Sequence, residues 1–152
     1  MVSGRQIFLY KERHRLHIDA IDHSYFRQLP APNNALLDNL AKEFGANDFK
    51  ILTNWVRRLR DVRNRCAHHS RLWNAKLAVP SQIGAEITIT EAHQYRPYLT
   101  VCVLRKMIKS LGISDINLKA EILNLFSGSH AAQLYMSDTG FPKGWDNDPF
   151  WN

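Results

Sequence analysis

Cysteine and long hydrophobic runs are both scarce in this chain of 152 residues. The longest apolar stretch, Tyr98 to Leu104, is far shorter than the roughly 20 residues of a membrane helix, so we expect no contact with a membrane. The first residues mix arginines with acids and lack a hydrophobic core, so no secretion signal is predicted. Two cysteines, Cys66 and Cys102, cannot build a disulfide framework, which favours a reduced, cytoplasmic protein.

Acidic residues are few beside the basic ones in the first half of the chain. Residues 1–76 hold fourteen Lys and Arg against seven Asp and Glu, a net charge of +7, whereas residues 77–152 sum to −1. The positive charge is densest over residues 57–76, where Asp61 is the one acid among seven bases: Arg57, Arg58, Arg60, Arg63, Arg65, Arg71 and Lys76. Such a stretch attracts polyanions through counterion release, and nucleic acid is the usual partner. A solvated basic helix face without a partner explains the charge equally well.

Helical periodicity dominates the chain after residue 32. Residues 1–32 show no sustained period and are expected to be an N-terminal arm or the remnant of a larger N-terminal part. Four helices are predicted: one ending at Gly45, one capped by Asp48, one from near Thr90 to Gly112, and one over about 117–126. After residue 140 a tail rich in aromatics, Gly and Pro is expected to lack regular structure and to pack along the bundle. The sequence therefore predicts an all-α helical bundle over residues 33–152.

The helix after Asp48 has the clearest pattern. Its apolar positions are expected to face the core: Leu52, Trp55, Val56, Leu59, Val62 and Cys66. Its opposite face is expected to be polar and solvated: Asn54, Arg57, Arg58, Asp61 and Arg65. On the apolar stripe, Cys66 is expected to be chemically inert.

Groups suited to phosphodiester chemistry gather at the end of this helix. Arg60, Asn64 and His68 are four residues apart and share one face. Arg63 precedes His68 by five residues, roughly 140° around a regular helix, so these two can converge only if the helix ends near His68 or a second copy supplies the partner. An imidazole can move protons at neutral pH, and an arginine can hold charge that builds on phosphate oxygens.

The run from Arg63 to Asn74, Arg-Asn-Arg-Cys-Ala-His-His-Ser-Arg-Leu-Trp-Asn, resembles the HEPN superfamily of ribonucleases and RNA-binding domains. The signature of that superfamily is Arg, a polar residue, three more residues and His. The longer run is similar to the Abi-like proteins of bacterial abortive infection (AbiD/AbiF type). The ending, from Gly140-Phe141-Pro142 to Trp151, is similar to that family's C-terminus. The resemblance covers the chain from about Ala41 to its end.

The resemblance implies a HEPN-like helical fold and a homodimer whose two motifs face each other. The implied activity is that of a metal-independent endoribonuclease toxin of anti-phage defence, with no cofactor and with a protein or RNA antitoxin as a further partner. In it, His68 would act as general acid or base, Arg63 would hold the scissile phosphate, and Asn64 would orient the imidazole or the phosphate. The implied RNA-binding residues are Arg57, Arg60, Arg65, His69 and Arg71. The products would carry 2′,3′-cyclic phosphate and 5′-hydroxyl ends.

Two other functions are weighed against this one. A non-catalytic RNA-binding or scaffolding HEPN domain would hold RNA in the same basic groove without cutting it. A DNA-binding helix-turn-helix is disfavoured because a long irregular connection, not a short turn, follows the motif helix.

Several single residues also have structural interpretations. His68 and His69 can cap the helix end, and Arg71 can pair with Asp146 or Asp148. Trp73 is expected to anchor the loop after the helix rather than to stack on a base. The pairs His14/His17 and His68/His69 have no cysteine or acid at supporting spacing, so no metal site is predicted.

Overall fold

A computed structural model of the chain describes residues 34–83, 87 and 93–152. The predicted arm over residues 1–32 lies outside this part, so its boundary with the helical domain stays a prediction. The described residues form five α-helices: α1 (Asn34–Glu43), α2 (Phe49–Ala67), α3 (Tyr98–Ser110), α4 (Leu118–Ser127) and α5 (His130–Leu134). Three short 3-10 helices follow: Met136–Thr139, Trp145–Asn147 and Pro149–Trp151. This part of the chain contains no strand, which confirms the predicted all-α fold.

The turn between α1 and α2 forms as its sequence predicts. Gly45 adopts the left-handed region at φ 79°, which ends α1, and a Cβ at this position would clash with Ser110 at the end of α3. Asp48 caps α2, its Oδ1 accepting the Ile51 N–H at 2.9 Å. Asp38 on α1 accepts the Phe49 N–H at 2.9 Å and so joins the two helices.

α3 begins later than predicted. The sequence suggested a start near Thr90, but the described residues ahead of Tyr98 form turns, and Pro97 occupies the N-cap position. A proline lacks the N–H of a helix interior and disfavours helical geometry in the residue before it, so the helix starts after Pro97 instead of running through it. Tyr95, expected within the helix, lies in the turn and is 46% exposed.

α4 follows the prediction, with Asn117 Oδ1 accepting the Ala120 N–H at 3.0 Å as its cap. α5 was not predicted because its five residues are too few to show a helical period. Its signal in the sequence is Ser129, whose hydroxyl accepts the Ala132 N–H at 3.3 Å.

The aromatic tail packs into the core, as predicted, but includes two 3-10 turns where no regular structure was expected. Phe141, Trp145 and Trp151 are all buried. The rings of Trp145 and Trp151 meet edge to face, with 4.9 Å between their centroids. The ring centroids of Phe141 and of Tyr98 on α3 are 4.7 Å apart. The Trp151 indole also donates to the Tyr98 hydroxyl at 3.2 Å. The tail is therefore part of the core.

α2 and α3 run antiparallel. The turn before α2 contacts Ser110 at the end of α3, and Arg58 in the middle of α2 donates to Thr100 near the start of α3. The motif at the end of α2 therefore lies toward the beginning of α3.

Candidate active site

α2 ends within the motif in a Schellman-type turn. His68 is the C-cap, at φ −95° and ψ 15°, and His69 adopts the left-handed region at φ 52°. The His69 N–H donates to the Cys66 carbonyl at 3.1 Å, and the Ser70 N–H donates to the Arg65 carbonyl at 2.8 Å. The position of His69 is usually a glycine, because side chains disfavour positive φ. The helix therefore ends near His68. This is one of the two conditions under which the spacing allows Arg63 and His68 to converge.

Arg63, Asn64 and His68 lie together at this helix end. Arg63 is exposed, and its Nη1 donates to Asn64 Oδ1 at 2.9 Å. The Asn64 carbonyl accepts the His68 N–H at 3.0 Å, and the His68 side chain is exposed. Within the described part of the chain, no side-chain hydrogen bond joins His68 to either of the other two. The arrangement puts a cation, an amide and an imidazole within two turns; the Arg63 and His68 side chains are exposed, and Asn64 is half-buried.

The five residues assigned to RNA binding differ in exposure. Arg57, His69 and Arg71 are exposed, whereas Arg60 and Arg65 are half-buried. Arg65 Nε lies 3.4 Å from Asp61 Oδ2, a solvent-accessible pair of the kind that contributes only a few tenths of a kcal/mol and can yield to a phosphate. Among described residues Arg71 forms no ion pair with Asp146 or Asp148, so that interpretation is not supported.

Arg58 is buried, and its placement on the solvated face was wrong. It is 2% exposed; its Nε donates to Thr100 Oγ1 at 2.8 Å, and its Nη atoms donate to the carbonyls of Ala78 and Arg96. Burial lowers the pKa of this guanidinium to about 10, with nearby Asp61 partly offsetting the effect, so it remains protonated at neutral pH. The position could have been found from spacing, because Arg58 follows the buried Trp55 by three residues.

Cys66 is exposed, so its assignment to the buried stripe was also wrong. Burial along the stripe falls toward the motif: Leu52 and Trp55 are buried, Val62 is half-buried, and Cys66 is exposed. The last two turns of α2 therefore have little covering them within the described part of the chain.

The end of the motif run holds the following loop in place. Trp73 Nε1 donates to the Tyr135 carbonyl at 2.9 Å, and its ring meets Phe126 edge to face at 6.3 Å. The backbone carbonyl and side-chain oxygen of Asn74 both accept from Arg96 Nη1. Trp73 therefore anchors the loop, as predicted. Arg96 was missed because its partner lies 22 residues earlier in the chain.

The described residues offer neither a cluster of metal ligands nor a helix that could cross a membrane. They contain no group of three His, Cys, Asp or Glu side chains placed to share a metal ion; His14 and His17 lie outside this part. No helix among them has both the length and the apolar composition for crossing a membrane.

A family model described as Abi-like protein matches residues 23–74. Over this segment the chain is similar to the Abi-like proteins. The matched segment is 52 of the 152 residues; it contains α1, α2 and the whole motif run, and it supports a function of the abortive-infection type. It starts earlier than the resemblance expected from Ala41 and stops at residue 74, so the similarity of the tail stays a prediction. No curated protein and no solved structure matches the chain.

Proposed function

We propose that this protein belongs to the Abi-like family and is a metal-independent endoribonuclease of bacterial abortive-infection defence, acting on RNA in the cytoplasm with Arg63, Asn64 and His68. One observation carries the proposal: the three residues lie at the end of α2, where Arg63 and His68 are exposed and the Arg63 guanidinium is 2.9 Å from the oxygen of the half-buried Asn64 amide. The match to the Abi-like family over the same segment supports it. In this proposal an antitoxin, protein or RNA, keeps the nuclease silent until infection.

The chemistry needs no metal. The ribose 2′-oxygen attacks phosphorus and loses its proton to a base, while the bond to the 5′-oxygen breaks and that oxygen takes up a proton from an acid. The products are a 2′,3′-cyclic phosphate and a 5′-hydroxyl. His68 performs one of these proton transfers, Arg63 stabilises the charge on the non-bridging oxygens, and Asn64 orients the guanidinium to which it is bonded.

A homodimer with facing motifs is part of the proposal. Cleavage needs both a base and an acid, and two copies supply two His68 imidazoles to one site. The end of α2 leaves room for a partner, because Val62 is half-buried while Cys66 and Ala67 are exposed.

The test is cleavage of labelled single-stranded and structured RNA in EDTA by the purified protein. We expect cleavage with cyclic-phosphate ends, lost in His68→Ala and in Arg63→Ala. His130→Ala is the matched control, because His130 is an exposed histidine on α5 and is not part of the motif. The nuclease proposal fails if a folded dimer leaves every RNA intact, or if His68→Ala cuts as fast as its parent.

A non-catalytic RNA-binding domain is the second candidate. The observation in its favour is that, within the described residues of one chain, no side-chain hydrogen bond joins His68 to Arg63 or Asn64. A domain of this kind would bind RNA and leave it intact. His68→Ala would then change nothing in a binding titration, whereas Arg57→Ala would weaken binding.

A further inference from the structure

A second basic feature lies at the other end of the bundle. A half-open groove of about 540 Å³ runs between the last turns of α3 and the 3-10 turn at Pro149–Trp151. Among the residues that the structure describes, six line it: Arg105, Lys106, Lys109, Ser110, Pro149 and Phe150. Three of the six are cations and none is an acid. The groove therefore combines positive charge with an apolar wall.

The structure holds two of the three cations in place. Arg105 Nε donates to the Phe150 carbonyl at 2.7 Å, and its guanidinium lies 5.2 Å from the centre of the Trp151 ring. Lys106 Nζ lies 5.9 Å from the centre of the Trp55 ring. Cations that are already positioned lose little conformational freedom when an anion binds.

The nearest acid along the tail is engaged elsewhere. Asp148 does not line the groove, and its Oδ1 accepts the Phe150 N–H at 2.9 Å, which caps the last 3-10 turn. Among the described residues, no carboxylate belongs to the lining of the groove.

Helix polarity explains only part of this charge. A basic residue in the last turn of a helix, such as Lys109, is favoured by the dipole. The helix dipole does not explain why Arg105 and Lys106 lie a turn earlier, or why an aromatic residue lies opposite them. A polyanion with flat, stacking groups accounts for both features. Single-stranded nucleic acid has this chemistry, with phosphates for the lysines and bases for Phe150.

We propose that this groove binds a segment of single-stranded RNA, with phosphates at Lys106 and Lys109 and a base against the half-buried Phe150 ring. It lies beside the beginning of α2, whereas the motif lies over the last turns of this 19-residue helix, which is about 28 Å long. The choice of RNA as the polyanion rests on the proposed function. The place of binding rests on the groove itself.

The test compares Lys109→Glu with Lys143→Glu, two exposed lysines that undergo the same change of charge, one in the groove and one outside it. Both changes are made in His68→Ala protein in EDTA, so that cleavage cannot distort the titration. We expect Lys109→Glu to weaken binding of a fluorescent oligoribonucleotide roughly fivefold and to lower the salt slope by about 0.7–1, as for one lost phosphate contact. Lys143→Glu should change affinity less than about twofold, since it removes only distant charge.

A second measurement locates the strand. An oligoribonucleotide carrying 4-thiouridine should crosslink, under long-wavelength light, to the tail peptide that contains Phe150. The proposal is overturned if both lysine variants weaken binding equally, if neither does, or if crosslinks form only with the motif end of α2. Binding of polyglutamate in preference to RNA would also overturn it, and would indicate an acidic protein partner.

The two proposals fail in distinguishable ways. Absence of cleavage by the parent protein, with the Lys109 effect intact, rejects the nuclease and keeps the groove. Cleavage that depends on His68 without any Lys109 effect on binding rejects the groove and keeps the nuclease.

Discussion

Neighbouring arginines on α2 should behave in opposite ways when each is replaced by methionine. Arg58 is 2% exposed and donates to three oxygens, those of Thr100, Ala78 and Arg96, whereas Arg57 is exposed. A hydrogen bond from a charged group contributes about 1.5–3 kcal/mol, and each buried acceptor left unpaired costs about 1–3 kcal/mol. These terms overlap, so we expect Arg58→Met to lower the free energy of unfolding by about 3–5 kcal/mol, against about 0.5 kcal/mol or less for Arg57→Met.

Urea unfolding followed by circular dichroism and by tryptophan fluorescence gives both values, and agreement of the two signals checks two-state behaviour. The loss of unfolding free energy for Arg58→Lys should lie between these values, at about 2 kcal/mol. An ammonium keeps the positive charge, but it cannot span three acceptors. The effects on RNA affinity should have the reverse order: Arg57→Met should weaken RNA binding more than Arg58→Lys does. A loss below about 1 kcal/mol for Arg58→Met would refute the reasoning, because it would mean that the buried network contributes little to stability.

Three further predictions concern the tail, the helix end and the thiols. Trp151→Ala should lower the free energy of unfolding by about 3–5 kcal/mol in the same assay, since this ring is 2% exposed; a loss near zero would show that the tail is not part of the core. His69→Gly should raise it by about 0.5–1 kcal/mol by relieving the positive φ, and a decrease would contradict the left-handed geometry. A thiol reagent should modify Cys66 alone in the folded protein and both cysteines in denaturant. Burial raises the pKa of Cys102 from 9.0 to about 12, so the unfolded chain loses this proton first; stability should fall from about pH 9 to 12, and less steeply in Cys102→Ala.

The helix positions could be predicted wherever their signals are local. Gly45, Asp48 and Asn117 act on backbone groups within a few residues, so their effects are visible in the sequence. The start of α3 was predicted wrongly because the helical spacing of apolar residues continues ahead of Pro97, where the chain forms a turn instead. α5 is too short to have a period at all.

The candidate site was largely predictable for the same reason. Arg63, Asn64 and His68 lie within two turns of one helix, so their neighbourhood follows from helical geometry and from the Abi-like run that contains them. What spacing could not show is the Schellman turn that places His69 at positive φ, because this depends on where the helix ends.

Contacts between distant parts of the chain were decided by the tertiary structure alone. The sequence by itself determined an all-α chain, the positions of most helices and a basic motif helix. It did not determine that Arg58 belongs to the core, because its acceptors lie 20 to 42 residues away. The groove at Arg105 joins α3 to a tail 45 residues later and is equally invisible in the sequence. The physical reason is that periodicity records which face of a helix is apolar, whereas burial of a charge depends on whether distant oxygens arrive to accept its hydrogen bonds.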